Sequence, residues 1–127
     1  NQSMSVLKLH TNESSPRTVV IIAGVIRRIN NKWQLINDQG HAPIGLKANI
    51  TEPTTSSIQV NFEKSYAQVL TCSITADETY ARRGFVFGGS CGLDKVIIYH
   101  SRAGEATLNT DLNILGSNIW IHVMMYE

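Results

Sequence analysis

Between residues 19 and 29 the chain reads Val-Val-Ile-Ile-Ala-Gly-Val-Ile-Arg-Arg-Ile, and no other stretch narrows the possible folds as much. β-Branched side chains lose χ1 freedom against the turns of a helix and pack well on a pleated surface, so the run is predicted to be a strand. Its first half is apolar on both faces, which places it centrally in a sheet covered on both sides. Gly24 is expected to mark a bulge or bend. Asn30-Asn31 follows with two residues that tolerate positive φ, as a tight hairpin requires. The return strand at 32–36 sets Trp33 and Leu35 on one side and Lys32 and Gln34 on the other, and Asn37-Asp38-Gln39-Gly40 turns again.

Elsewhere the same strand-and-turn grammar repeats. Val6-Leu7-Lys8-Leu9 reads as an edge strand before a polar loop at 11–16. Pro43 keeps the short strand at 47–50 off a central position at its start. Ile58, Val60 and Phe62 alternate onto one face. A compact β-meander spans 67–101, its three β-rich runs separated by a polar turn at 77–83 and a glycine-dense corner at 88–92. Residues 102–106 read as a loop and 107–115 as irregular. The closing strand at 118–126 puts Ile119, Ile121 and Val123 on one face and Trp120, His122 and Met124 on the other, so both faces are expected to be covered, by the second sheet or by a partner. No segment holds apolar spacing at i, i+3, i+4, i+7. The single helical candidate is 77–83, acids first and bases last as the macrodipole prefers, ended by Gly84. About eight or nine short strands predict an all-β fold: an antiparallel, jelly-roll-like β-sandwich with at most one short helical turn. It forms one domain over 1–127, with 1–17 as a peripheral strand and loop.

Composition excludes several classes. At 127 residues the chain can bury a core without staples, and 43% hydrophobic against 17% charged residues rules out disorder. A net charge of +1 is no footprint for nucleic acid or an anionic membrane. The basic pairs Arg27-Arg28 and Arg82-Arg83 read as solvated charge. No apolar run approaches the roughly 20 residues of a membrane span, so no membrane insertion is expected. Two cysteines, Cys72 and Cys91, are too few for a disulfide framework; one bridge across neighbouring strands is the alternative, and free buried thiols are the expectation. The Asn-Gln-Ser start carries no secretory signal and is expected to be a trimmed end. The glycosylation triplets Asn12-Glu-Ser14 and Asn49-Ile-Thr51 are expected by chance.

Gly88-Gly-Ser90-Cys-Gly92 satisfies Gly-x-Ser-x-Gly, with Asp94 or Asp111 and His100 or His122 downstream. A nucleophile elbow needs a helix straight after the serine, to lend N–H groups to an oxyanion. Here Leu93-Asp-Lys-Val-Ile-Ile-Tyr99 returns at once to β character, so a serine hydrolase using Ser90 is the remote alternative and a glycine-rich corner the preferred one. Cys91 with His100 is equally weak, since nothing depresses a thiol pKa. His10, His41, His100 and His122 lack metal-ligand spacing. Adjacent Asp77 and Glu78 diverge rather than converge on a glycosidic bond. No catalytic residue, metal or cofactor is nominated. For ligand binding the weak candidates are aromatic: Tyr80, expected exposed in its polar turn, then Trp33 and Trp120, for which sheet packing is favoured. Tyr66 and Tyr99 are looser candidates still.

The strand from Ala67, the Asp-Glu-Thr turn, Gly88-Gly-Ser-Cys-Gly-Leu-Asp94, Val96-Ile-Ile-Tyr99, Gly116-Ser-Asn-Ile-Trp-Ile-x-x-Met-Met125 and the hairpin Trp33-Gln-Leu-Ile-Asn-Asp-Gln-Gly-His-Ala-Pro-Ile-Gly45 together resemble small tail or baseplate accessory structural proteins of siphophages infecting Gram-positive bacteria. The resemblance covers residues 19–127. It implies a sandwich akin to the shoulder domain of phage receptor-binding proteins, a role in tail-tip assembly or host adsorption, and no catalysis. It further implies a virion (tail) location after synthesis in the host cytoplasm, with other tail or baseplate proteins, and host cell-wall glycan, as partners. It supplies no site residues. A carbohydrate-binding sandwich recognising cell-surface glycans is the alternative.

Overall fold

The computed structural model describes Val6–Leu9 as backbone and residues 17–127 in full. Ten strands are described: β1 Val6–Leu9, β2 Arg17–Ile29, β3 Lys32–Leu35, β4 Leu46–Thr51, β5 Ser57–Phe62, β6 Gln68–Ala76, β7 Phe85–Cys91, β8 Lys95–Arg102, β9 Glu105–Ala106 and β10 Ile119–Tyr126. The helix α1, Glu78–Arg82, joins β6 to β7, and a 3-10 turn, Asn109–Leu112, lies inside the segment expected to be irregular. The loop at 11–16, His10 and the first glycosylation triplet lie outside the described residues.

The strands form two five-stranded antiparallel sheets, one ordered β1-β2-β10-β6 with β3 also on β2, the other β4-β5-β8-β7 with β9 also on β8. The chain changes sheet between β3 and β4, between β5 and β6, across α1, and between β9 and β10, while the long strands β2 and β10 lie side by side. That alternation is the winding of a jelly-roll-like sandwich.

Alternation along each strand builds the core. Ile22, Ile26, Ile119, Ile121, Val123 and Met125 from the first sheet meet Ile58, Val60, Phe62, Val96 and Ile98 from the second, all essentially out of solvent. Each such side chain contributes about 1.5–3 kcal/mol on burial.

Several local expectations are corrected. Gly24 marks no bulge: its ladder to β10 is regular. Instead a Cβ there would lie 2.8 Å from Leu46 Cδ1, so the glycine admits the Leu46 side chain. The only shift on β10 falls opposite β6, between Met124 and Met125, where Leu70 is the extra residue. Gly88 to Ser90 form no corner. They run through the interior of β7, paired with Tyr99, Ile98 and Ile97, and the chain turns only after Cys91. Residues 102–106 make a tight β8–β9 hairpin with Ala103 and Gly104 at φ 52° and 82°. Asn30 and Asn31 do adopt φ 53° and 64°. β10 is covered on one face only: Trp120 and His122 are exposed.

Candidate functional site

Register collects one set of termini at one end of the sandwich. The β2–β3 turn, the end of β4, the start of β5, α1 and the 3-10 turn all meet there, tied by side chains across the sheets. Arg28 stands opposite Trp33 in the β2–β3 ladder, and its guanidinium sits 5.7 Å from the indole ring centroid. Glu52, just past β4, accepts from Trp33 Nε1 at 2.6 Å and from Arg28 Nη2 at 3.3 Å, while Arg28 Nη1 donates to Asn31 Oδ1 at 3.1 Å. Arg28 is only 4% exposed. It is not the solvated charge expected from sequence, because a cation so buried requires the carboxylate and amide it has here.

Beside this cluster an open groove of about 500 Å³ runs between β3 and β4, edged by Trp33, Asn31, Asn49, Thr51 and Glu52. An aromatic face ringed by amide, hydroxyl and carboxylate groups suits a polyhydroxylated ligand. The groove therefore includes Trp33 from the sequence candidates.

The remaining candidates lie apart. Trp120 is 38% exposed on the outer face of the first sheet. Tyr80 is fully buried, against expectation: its hydroxyl donates to the Leu112 carbonyl at 2.6 Å and its ring packs edge-on to Phe85 and Phe87. Burial holds its phenol up at about 12. Polar neighbours hid this, because α1 is too short to have an apolar period and turns Tyr80 inward. Tyr99 is instead the exposed tyrosine, at 51%, opposite Gly88, around whose missing side chain there is open space. Tyr66 is buried.

Ser90 and His100 do not meet. Ser90, opposite Ile97, faces outward, whereas His100, opposite Phe87, faces the core, so the sheet separates them. Both imidazole nitrogens of His100 are engaged, Nδ1 with Thr107 Oγ1 at 2.5 Å and Nε2 with Asn109 Oδ1 at 2.7 Å. Burial lowers its pKa, against the opposing pull of the Asn109 bond. Asp77 accepts the Asn118 backbone N–H, and Glu78 pairs with Arg82. Among the described residues no group of three or more His, Cys, Asp or Glu could hold a metal, and no helix is long and apolar enough to cross a membrane.

Cys72 and Cys91 are free thiols, as expected, and they lie on the same β6–β7 seam: Cys72 Sγ would be 3.1 Å from a Cβ on Gly89, two residues before Cys91 on the same face of β7. No family model matches the chain, and no curated protein and no solved structure matches it either.

Proposed function

We propose that the chain is a non-enzymatic virion structural protein of a tailed phage, tail-associated, acting in tail-tip assembly or host adsorption. The observation that supports this is the outer face of the β2–β10–β6 sheet. Trp120 stands there opposite Val25, Met124 opposite Ile21, and Ile44, bridged to Ala23, is 37% exposed beside them. Such a face, on a sandwich whose own core is already filled, suits a fixed protein neighbour. Partners are other tail or baseplate proteins, with no nucleic acid and no membrane insertion. The test is mass spectrometry and antibody labelling of purified virions of the phage that encodes the chain. Stoichiometric presence on tails supports the proposal, and absence from virions overturns it.

A carbohydrate-binding module is the second reading, favoured by the Trp33–Glu52 groove and by Tyr99. It predicts tryptophan fluorescence changes on adding host wall polysaccharide, lost in Trp33→Ala. Blank titrations and blank glycan arrays would remove it.

A further inference from the structure

The last strands of the two sheet paths, β6 and β7, lie alongside each other with no backbone ladder between them among the described residues. Their approach is close. A Cβ on Gly89 would lie 3.1 Å from Cys72 Sγ and 2.9 Å from Ile74 Cγ1. Cys91 is two residues further along β7, on the same inward face as Gly89, so both thiols line this seam, and the Cys91 thiol donates to the Gly92 carbonyl at 3.4 Å. Both thiols are half-buried, and they are the chain's only two cysteines.

We propose that Cys72 and Cys91 form a redox clasp, a reversible disulfide that closes the seam between the two sheets in an oxidising medium. The oxidant is a small-molecule disulfide such as oxidised glutathione. One cysteine, as thiolate, attacks a sulfur of that disulfide, forms a protein–glutathione mixed disulfide and expels one glutathione thiolate. The second cysteine then attacks the mixed sulfur, forms the Cys72–Cys91 bond and expels the second glutathione. Two protein thiols are oxidised, one small disulfide is reduced to two thiols, and the two protons pass to the departing thiolates. Burial raises both thiols, Cys91 to about 11 with Cys72 adding to the effect. The thiolate fraction at neutral pH is therefore small, so exchange with the small disulfide is slow there and faster in mildly alkaline medium. The clasp does not rest on the virion proposal. Where that proposal holds, the bond closes after release from the reducing cytoplasm.

The native protein is incubated with oxidised glutathione in mildly alkaline buffer, free thiols are then capped, and the digest is mapped without reduction. The expected result is a peptide joining Cys72 to Cys91, an intact mass lower by two hydrogens, and a melting temperature higher by roughly 5–10 °C. Dithiothreitol should reverse both changes. Cys72→Ser and Cys91→Ser should each stop at the glutathione adduct. Intermolecular dimers, a glutathione adduct alone on the wild-type chain, or a cross-link that leaves melting unchanged would each overturn the clasp. The oxidised and reduced wild-type comparison needs no variant to fold.

Discussion

His100 Nε2 lies 2.7 Å from Asn109 Oδ1, and the amide nitrogen of that asparagine donates to the carbonyls of Thr54 and Ser57 at 2.9 and 3.0 Å. The two amide bonds fix which way Asn109 points, so its oxygen faces the imidazole and can only accept. His100 is therefore the Nε2–H tautomer, with Nδ1 accepting from the Thr107 hydroxyl.

Protonating His100 would oblige Thr107 to stop donating and would place a cation where the ring is 4% exposed. Burial accordingly holds the folded-state pKa below the ordinary histidine value. The unfolded chain then binds the proton more readily, so the stabilisation is complete above about pH 6.5 and is lost as pH falls below it toward the folded value. Melting curves between pH 8 and pH 5 should show the wild type losing stability more steeply than His100→Gln. Parallel profiles would contradict the neutral, buried imidazole.

Asn109→Ala removes three side-chain hydrogen bonds and leaves the Thr54 and Ser57 carbonyls and His100 Nε2 without these partners. A loss of about 2–4 kcal/mol in urea unfolding is expected.

Tyr80→Phe keeps the ring contacts with Phe85 and Phe87 but deletes the donor to Leu112. It should cost about 1–2 kcal/mol, against about 3–5 kcal/mol for Tyr80→Ala, which empties the ring's volume. Denaturant titration of the pair separates the hydroxyl from the packing.

The strands and the Asn30-Asn31 turn were legible in the sequence because period-two alternation and positive-φ tolerance are local properties. Ile58-Val60-Phe62 and Ile119-Ile121-Val123 read as buried faces and are buried faces. What escaped detection depends on contacts far apart in sequence. Arg28 looked solvated because its carboxylate, Glu52, lies 24 residues away. Tyr80 looked exposed because a five-residue helix carries no readable apolar period. The Gly88-Gly89 pair read as a corner, since glycine signals close approach without saying whether a turn or a neighbouring strand approaches. Of the groove only Trp33 was legible, and of the aromatics outside it Trp120 and Tyr99; the groove itself comes from two edge strands that sequence alone does not bring together.

Gly88 and Gly89 are adjacent in β7 yet should respond oppositely to substitution. At Gly89 a methyl group meets Ile74 Cγ1 at 2.9 Å and Cys72 Sγ at 3.1 Å, so Gly89→Ala forces the β6–β7 seam apart, at about 1–3 kcal/mol. At Gly88 there is nothing within 4 Å and the backbone is ordinary strand. Gly88→Ala should stabilise by about 0.4–1 kcal/mol through the unfolded state. Equal effects of the two substitutions would contradict the asymmetric packing of β7.

The outer face of the first sheet separates assembly from folding. Trp120 is 38% exposed and contributes little to the core, whose β10 members Ile119, Ile121, Val123 and Met125 point the other way. Trp120→Thr keeps a β-favouring residue, and its melting point should stay within a few degrees of the wild type, a cost of about 1 kcal/mol. If this face seats a tail neighbour, deleting a central aromatic should cost more than 2 kcal/mol of binding and sharply reduce the protein recovered in virions. Leu115→Thr is the matched control, since Leu115 is more exposed, at 86%, but lies in the connection before β10 rather than on the sheet. Complementation of a deletion phage, read as protein per purified virion, distinguishes the two. Equal incorporation of both variants would rule out the Trp120 face as the assembly surface.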